Sequence, residues 1–238
     1  MFRLTRFLSQ FLQSRNVFIS RHPEIKYFTL ITDQIVKNFL SKSQGVLHIG
    51  AYEGEERFLY DSFGLEVLWV EALPDTFKVL GTNIAGFDRQ KALNVILGDQ
   101  DIDLIDFHVS SNGQSSSILE FSNVNSFEGV HTSQVIQAPM RTLDNVATEH
   151  DIAKLNFWVI DVQGAELLVL NGSKHSLDYC DYLLVEASTV EFYRGGVLWE
   201  ELTNFLESRG FTSIWQPNGV SHLNVLFIRT LPSSKIVI

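Results

Sequence analysis

One cysteine, Cys180, stands in a chain of 238 residues. That rules out an internal disulfide framework and any zinc site built on cysteines. Its setting, LDYCDYLL, is that of a buried thiol rather than a nucleophile. Basic runs are missing too. Lys and Arg number 18 against 28 Asp and Glu, for a formal charge of −10, so no extended phosphate-tracking face for nucleic acid is expected. No apolar stretch approaches the ~18 uninterrupted residues of a membrane span. The opening MFRLTRFLSQFLQ sets Phe2, Leu4, Phe7, Leu8, Phe11 and Leu12 along one helical stripe, but Arg3 and Arg6 interrupt it and no small-residue cleavage site follows. A helical cap or lid over residues 1–44 is expected, with docking on a membrane surface or a partner as the alternative. Cytoplasm is the expected compartment, peripheral to a membrane if that helix docks.

Phosphate-binding signatures are absent as well. In VLHIGAYEGEE the glycines Gly50 and Gly54 are spaced Gly-x-x-x-Gly, not Gly-x-Gly-x-x-Gly, and no Gly-Lys-Ser/Thr follows. Glu53, Glu55 and Glu56 crowd the same loop and would repel a pyrophosphate approaching a helix N-terminus. A cationic, phosphate-free cofactor such as S-adenosylmethionine suits these acids better.

What the chain does have is regular alternation. GVLHIG, EVLWVEA, ALNVILGD, LNFWVID and DYLLVEAS read as buried strands, separated by helical patterns such as PDTFKVLGTNIAG, with Pro at its start and Gly at its end. GVLWEELTNFLESRG is an amphipathic helix, and TSIWQ and LNVLFIR form a closing hairpin around PNG. This predicts an α/β doubly wound sheet over residues 45–238, mostly parallel with an antiparallel closing strand. Residues 101–140 break the rhythm. IDLIDFHVS has the alternation of an antiparallel strand, SSNGQSSS reads as a loop, and so long a polar insertion points to function.

Ligands of open parallel sheets sit beyond the carboxyl ends of the strands. Those ends carry His48 and Gly50, then Glu71, Asp99, Asp161 and Glu186. Glu71 falls 21 residues after Gly50, the placement of an acid that accepts both hydroxyls of a ribose.

These segments together resemble the FkbM family of S-adenosylmethionine-dependent methyltransferases. The resemblance rests on VLHIGAYEGEE, VLWVEALPDTFKVLGTNI, SSNGQSSSIL, RTLDNV, FWVIDVQGAELLVLNG and DYLLVEAS, across about residues 45–230. It implies a class I methyltransferase fold and O-methylation, commonly of a sugar hydroxyl in a glycan, glycolipid or glycosylated natural product. By the same resemblance Gly50, Ala51, Glu53 and Gly54 form the cofactor loop, with His48 at its start where many members carry Asp. Glu71 holds the ribose, Asp99 lies near the adenine, and Ser116 and Ser117 line the cofactor or acceptor pocket.

Methyl transfer to a hydroxyl needs a base. Asp161, closing the fourth main strand, is the first candidate, with Glu186 and His131 in reserve. Glu166, five residues beyond Asp161, is expected to serve the start of its own helix. His22, His150, His175 and His222 read as surface residues. Asp161 is also a candidate Mg²⁺ ligand, but no second and third ligand follow at a telling spacing, so metal-independent chemistry is favoured. Two rivals remain: an NAD-linked oxidoreductase, and a catalytically silent cofactor-binding scaffold in a biosynthetic complex.

Overall fold

The computed structural model describes residues 33–125, 127–217 and 219–230, so the N-terminal apolar stripe and His22 lie outside the described residues. Residues 33–40 are helical and belong to a unit that ends at Lys42; Ser43 onward forms a second unit. In chain order the second unit contains β1 (Gly45–Ile49), α1 (Arg57–Ser62), β2 (Glu66–Glu71), α2 (Pro74–Ile84), β3 (Gln90–Asn94), β4 (Ile96–Leu97), β5 (Ile102–Ser110), β6 (Thr132–Arg141), α3 (Leu143–Glu149), β7 (Phe157–Ile160), α4 (Glu166–Asn171), a 3-10 turn (Ser176–Tyr179), β8 (Tyr182–Ser188), α5 (Trp199–Ser208), β9 (Phe211–Ser213) and β10 (His222–Arg229).

Seven strands form one sheet in the order β3-β2-β1-β7-β8-β10-β9. β1 pairs in parallel with β2 and β7, and β10 runs antiparallel to both its neighbours. This is the expected α/β doubly wound sheet, mostly parallel with an antiparallel closing strand. Strands buried on both faces are continuous apolar runs, and the central β1 and β7 are buried at every position. On one face Leu47, Ile49, Trp158, Ile160, Leu183 and Val185 pack with helix residues such as Leu143, Val169, Leu170, Leu202 and Leu206. On the other face His48 and Trp69, register partners on β1 and β2, meet Tyr60 of α1.

The insertion forms a second sheet, ordered β4-β6-β5, with β5 and β6 antiparallel. Leu73, Ile96, Phe107 and Met140 make its core. Two sequence expectations change here. ALNVILGD is not one strand: the main sheet keeps β3 only as far as Asn94, whose side-chain amide donates to the carbonyls of Glu71 and Ala72, and the chain then crosses to β4. The alternating IDLIDFHVS is the strand expected, but its partner β6 was hidden by Pro139, a residue that cannot donate to a ladder. The pairing steps from Ile102↔Met140 to Ile105↔Ala138, and the register shift falls at that proline.

Candidate active site

Parallel strands deliver their carboxyl ends to one edge, and the first thing they deliver is a close approach. Gly50 has φ +82°, and a Cβ there would lie 1.8 Å from the carbonyl oxygen of Asp161. Only glycine lets the ends of β1 and β7 come so near. The N–H groups of Gly50 and Ala51 both donate to the Val70 carbonyl, and Tyr52 (φ 48°) and Gly54 (φ 70°) complete the turn. Asn83 of α2 donates to the Glu53 carbonyl at 2.8 Å, and Arg57 donates to that of Gly54 at 2.9 Å.

Glu71 fastens this loop from the neighbouring strand. Its buried carboxylate accepts Tyr52 N–H on Oε2 and Leu73 N–H on Oε1, each at 2.8 Å. Each carboxylate oxygen accepts more than one hydrogen bond, so a ligand hydroxyl can join them.

Across β1, the ends of β7 and β8 bring two more buried acids together. The side-chain amide of Gln163 donates to Asp161 Oδ1 at 2.7 Å and to Glu186 Oε2 at 2.8 Å. Its own carbonyl accepts the Tyr193 hydroxyl at 2.7 Å, and that hydroxyl also bonds the Ser115 carbonyl at 3.0 Å. Gln163 sits at φ 58°, a left-handed conformation uncommon outside glycine, and its amide bonds hold it there. Glu186 Oε1 pairs with His222 Nε2 at 2.7 Å, and His222 Nδ1 faces Ser188 Oγ at 3.0 Å.

Glu166 lies beneath this network. Its Oε1 accepts the N–H groups of Val162 and Gly164, the helix-start role expected of it. Burial first, and then the nearby Glu186 charge, pushes its carboxyl from the ordinary 4.5 up to about 7. A carboxyl raised on folding adds stability that is complete below its unfolded value and is lost as pH climbs through the folded one. Glu166→Gln keeps the acceptor for both amides and removes the titration. Unfolding measured between about pH 5 and 8 is therefore expected to show wild type losing stability relative to the variant. A constant difference across that window would refute the assignment.

Residues 48–213 match the model of the methyltransferase FkbM domain. The chain belongs to the FkbM methyltransferase family. Similarity extends to the 2-O-methyltransferase NoeI of Sinorhizobium fredii (strain NBRC 101917 / NGR234), 27% identical over 186 residues that cover 74% of this chain and 76% of that protein. Similar solved structures include a putative caffeoyl-CoA O-methyltransferase from Staphylococcus aureus, with 10% identity, TM-score 0.49, and 94% and 98% of the two chains covered. Another is a SAM dependent methyltransferase from Aquifex aeolicus, with 12% identity, TM-score 0.44 and 83% and 89% covered.

In this FkbM methyltransferase the expected residues do not all converge. Gly50, Ala51, Glu53, Gly54, Glu71, Asp161 and Glu186 gather at one sheet edge. His48 is turned into the fold: the residue is 1% exposed, its ring bonds Tyr60 through Nδ1 at 3.0 Å and stacks on Trp69 at 4.8 Å. It supports the loop from below, because a mid-strand residue points into the helix layer. Asp99 also moves. It lies exposed past β4, its Cα beside Gly172 at the far end of α4, while the residue that closes β3 is Asn94. His131 is exposed at the β5–β6 hairpin, bonded through its backbone to Ser111 and outside the Asp161–Glu186 network.

The serine loop docks on the site through structural bonds. Ser116 Oγ closes a turn onto the Gly113 carbonyl, and Ser117 Oγ reaches the Val162 carbonyl at 3.4 Å. Gln163, Tyr193 and His222 were not expected there. Gln163 lies inside the quoted VIDVQGAE, two residues past Asp161. His222 had a signal in the closing hairpin, since an antiparallel strand starts at the edge where parallel ones end. Cys180 is buried as expected, and burial raises its thiol well above the usual range. Among the described residues no group of three His, Cys, Asp or Glu is arranged to hold a metal ion, and no helix is long and apolar enough to cross a membrane.

Proposed function

We propose that the protein is an S-adenosylmethionine-dependent O-methyltransferase acting on a sugar hydroxyl of a glycan, glycolipid or glycosylated natural product. The observation that carries this reading is the row of buried carboxylates, Glu71, Asp161 and Glu186, beside a glycine loop that is acidic. A cofactor with phosphates would meet like charge there, whereas one with a ribose, an amine and a sulfonium meets complementary groups. Glu71 would accept the ribose hydroxyls, the bare backbone from Gly50 to Gly54 would close on the methionine portion, and Asp161 would face the cation. When bound, S-adenosylmethionine supplies a methyl group on positively charged sulfur, a leaving group already activated.

The chain's own work is then to hold the acceptor oxygen in line and to take its proton. Gln163 supports that work by hydrogen-bonding both Asp161 and Glu186, which fixes how the two carboxylates are turned toward the site. The name of the relative, a 2-O-methyltransferase, supports oxygen as the atom methylated.

Calorimetry and a transfer assay test the reading together. Saturable binding of S-adenosylmethionine, no binding of NAD, and label transferred from the methyl-labelled cofactor to at least one sugar in a panel of methyl glycosides is the expected result. NAD binding would favour the oxidoreductase. Cofactor binding with no transfer to any sugar would favour a silent scaffold.

A further inference from the structure

We propose that His222 is the general base of this methyl transfer, with Glu186 as the carboxylate that orients it; the inference rests on the O-methyltransferase reading above. Sheet order makes the case. Adjacent strands β2, β1, β7, β8 and β10 bring Glu71, Gly50, Asp161, Glu186 and His222 to one edge in that sequence. The groups suited to the cofactor lie on β2 and β1, so the acceptor is left the β8–β10 end. His222 reaches that end because β10 is antiparallel, which sets it opposite Ser188, just past Glu186.

The hydrogen bonds separate the candidates. Asp161 Oδ1 and Glu186 Oε2 both accept from Gln163, and a bond donated to a carboxylate weakens it as a base. His222 has the opposite arrangement. With Nε2–H donated to Glu186 Oε1 at 2.7 Å, the neutral ring keeps its lone pair on Nδ1, and the carboxylate stabilises the imidazolium that forms. Nδ1 meets Ser188 Oγ at 3.0 Å, and an acceptor hydroxyl would take that serine's place at the nitrogen. The ring is reachable, its side chain being 22% exposed. Phe127 and Phe192, stacked on each other at 4.6 Å, meet it edge-on at 6.0 and 5.7 Å and fix its plane.

In the step itself the acceptor O–H bond breaks and its proton goes to His222 Nδ1. The oxygen's electron pair forms the new O–CH₃ bond, and the pair of the breaking C–S bond stays on sulfur as a neutral thioether. An imidazolium paired with the Glu186 carboxylate remains, and it returns its proton to solvent.

Two measurements on the full chain test this. The first uses the protein alone: ¹⁵N NMR of His222 at about pH 8 is expected to show the neutral ring protonated on Nε2 and bare on Nδ1, a preference lost in Glu186→Gln. The second uses methyl-labelled S-adenosylmethionine and a panel of methyl hexosides and 6-deoxyhexosides. On whichever sugar wild type methylates, His222→Ala is expected to lower kcat by about 10²–10⁴-fold, with added imidazole restoring part of the rate and cofactor affinity unchanged. A ring protonated on Nδ1, or a His222→Ala kcat within about fivefold of wild type, would overturn the proposal and leave the methyltransferase reading standing. Wild-type protein that binds the cofactor yet methylates no sugar would overturn both.

Discussion

Gly50→Ala is expected to destabilise the protein by about 4 kcal/mol, in the rare upper tail of single substitutions. Two effects combine. The backbone at φ +82° is one a side chain rarely adopts, and the new Cβ would stand 1.8 Å from a backbone oxygen that cannot turn aside. That oxygen belongs to Asp161, whose own N–H is bonded to the Ile49 carbonyl at 3.0 Å, so moving one strand end displaces the other. At about 2–4 °C per kcal/mol for a chain of this size, melting should fall by roughly 8–16 °C. Gly81→Ala is the control. It lies within α2, where an added Cβ has nothing within 4 Å, and a gain of about 0.5–1 kcal/mol is expected there. Gly50→Ala melting within about 2 °C of wild type would refute the argument.

Glu71→Ala is expected to weaken S-adenosylmethionine binding by about 100-fold, or about 3 kcal/mol. Two losses contribute: the proposed acceptor for the ribose hydroxyls, and the two bonds that tie Tyr52 and Leu73 to one carboxylate. Glu71→Gln should not rescue it. Both carboxylate oxygens accept backbone N–H groups, so whichever way the amide is turned, its NH₂ opposes a donor. Calorimetry with the cofactor reads both variants. A dissociation constant within about threefold of wild type for Glu71→Ala would remove Glu71 from the proposed site.

The parts of the fold that could be read in advance share one property, burial on both faces. VLHI, VLWV and FWVI are apolar because helices cover them on either side, and the strands fell where those runs do. β6 escaped because one side of a small, half-open sheet imposes no such demand, and TSQVIQAPMR carries its polar residues and its proline outward or at the register shift. The site divides in the same way. Glu71, Asp161 and Glu186 stand at the strand ends where they were expected, whereas His48 and Asp99 were read as strand ends and are not. His48 lies inside β1 rather than beyond it, and Asp99 follows a departure from the main sheet that only tertiary packing decides. His222 was missed for a different reason. Its function comes from the direction of a strand, which residue chemistry alone does not report.

The way the second sheet is rooted has a consequence for how this protein can change over evolutionary time. The chain enters and leaves it side by side: β4 pairs in parallel with the end of β6, and Gly98 N–H donates to the Arg141 carbonyl at 3.0 Å. Such a stem already brings the ends together, and closing a longer loop across it costs only about 0.6 kcal/mol per doubling of length. The tip of the same excursion is fastened to the Gln163 network through Ser115 and Tyr193. Lengthening, trimming or exchanging the hairpin would therefore alter what the tip offers to an incoming molecule while leaving the seven-stranded sheet undisturbed. The stem works as a graft junction, across which the hairpin can be exchanged without refounding the fold.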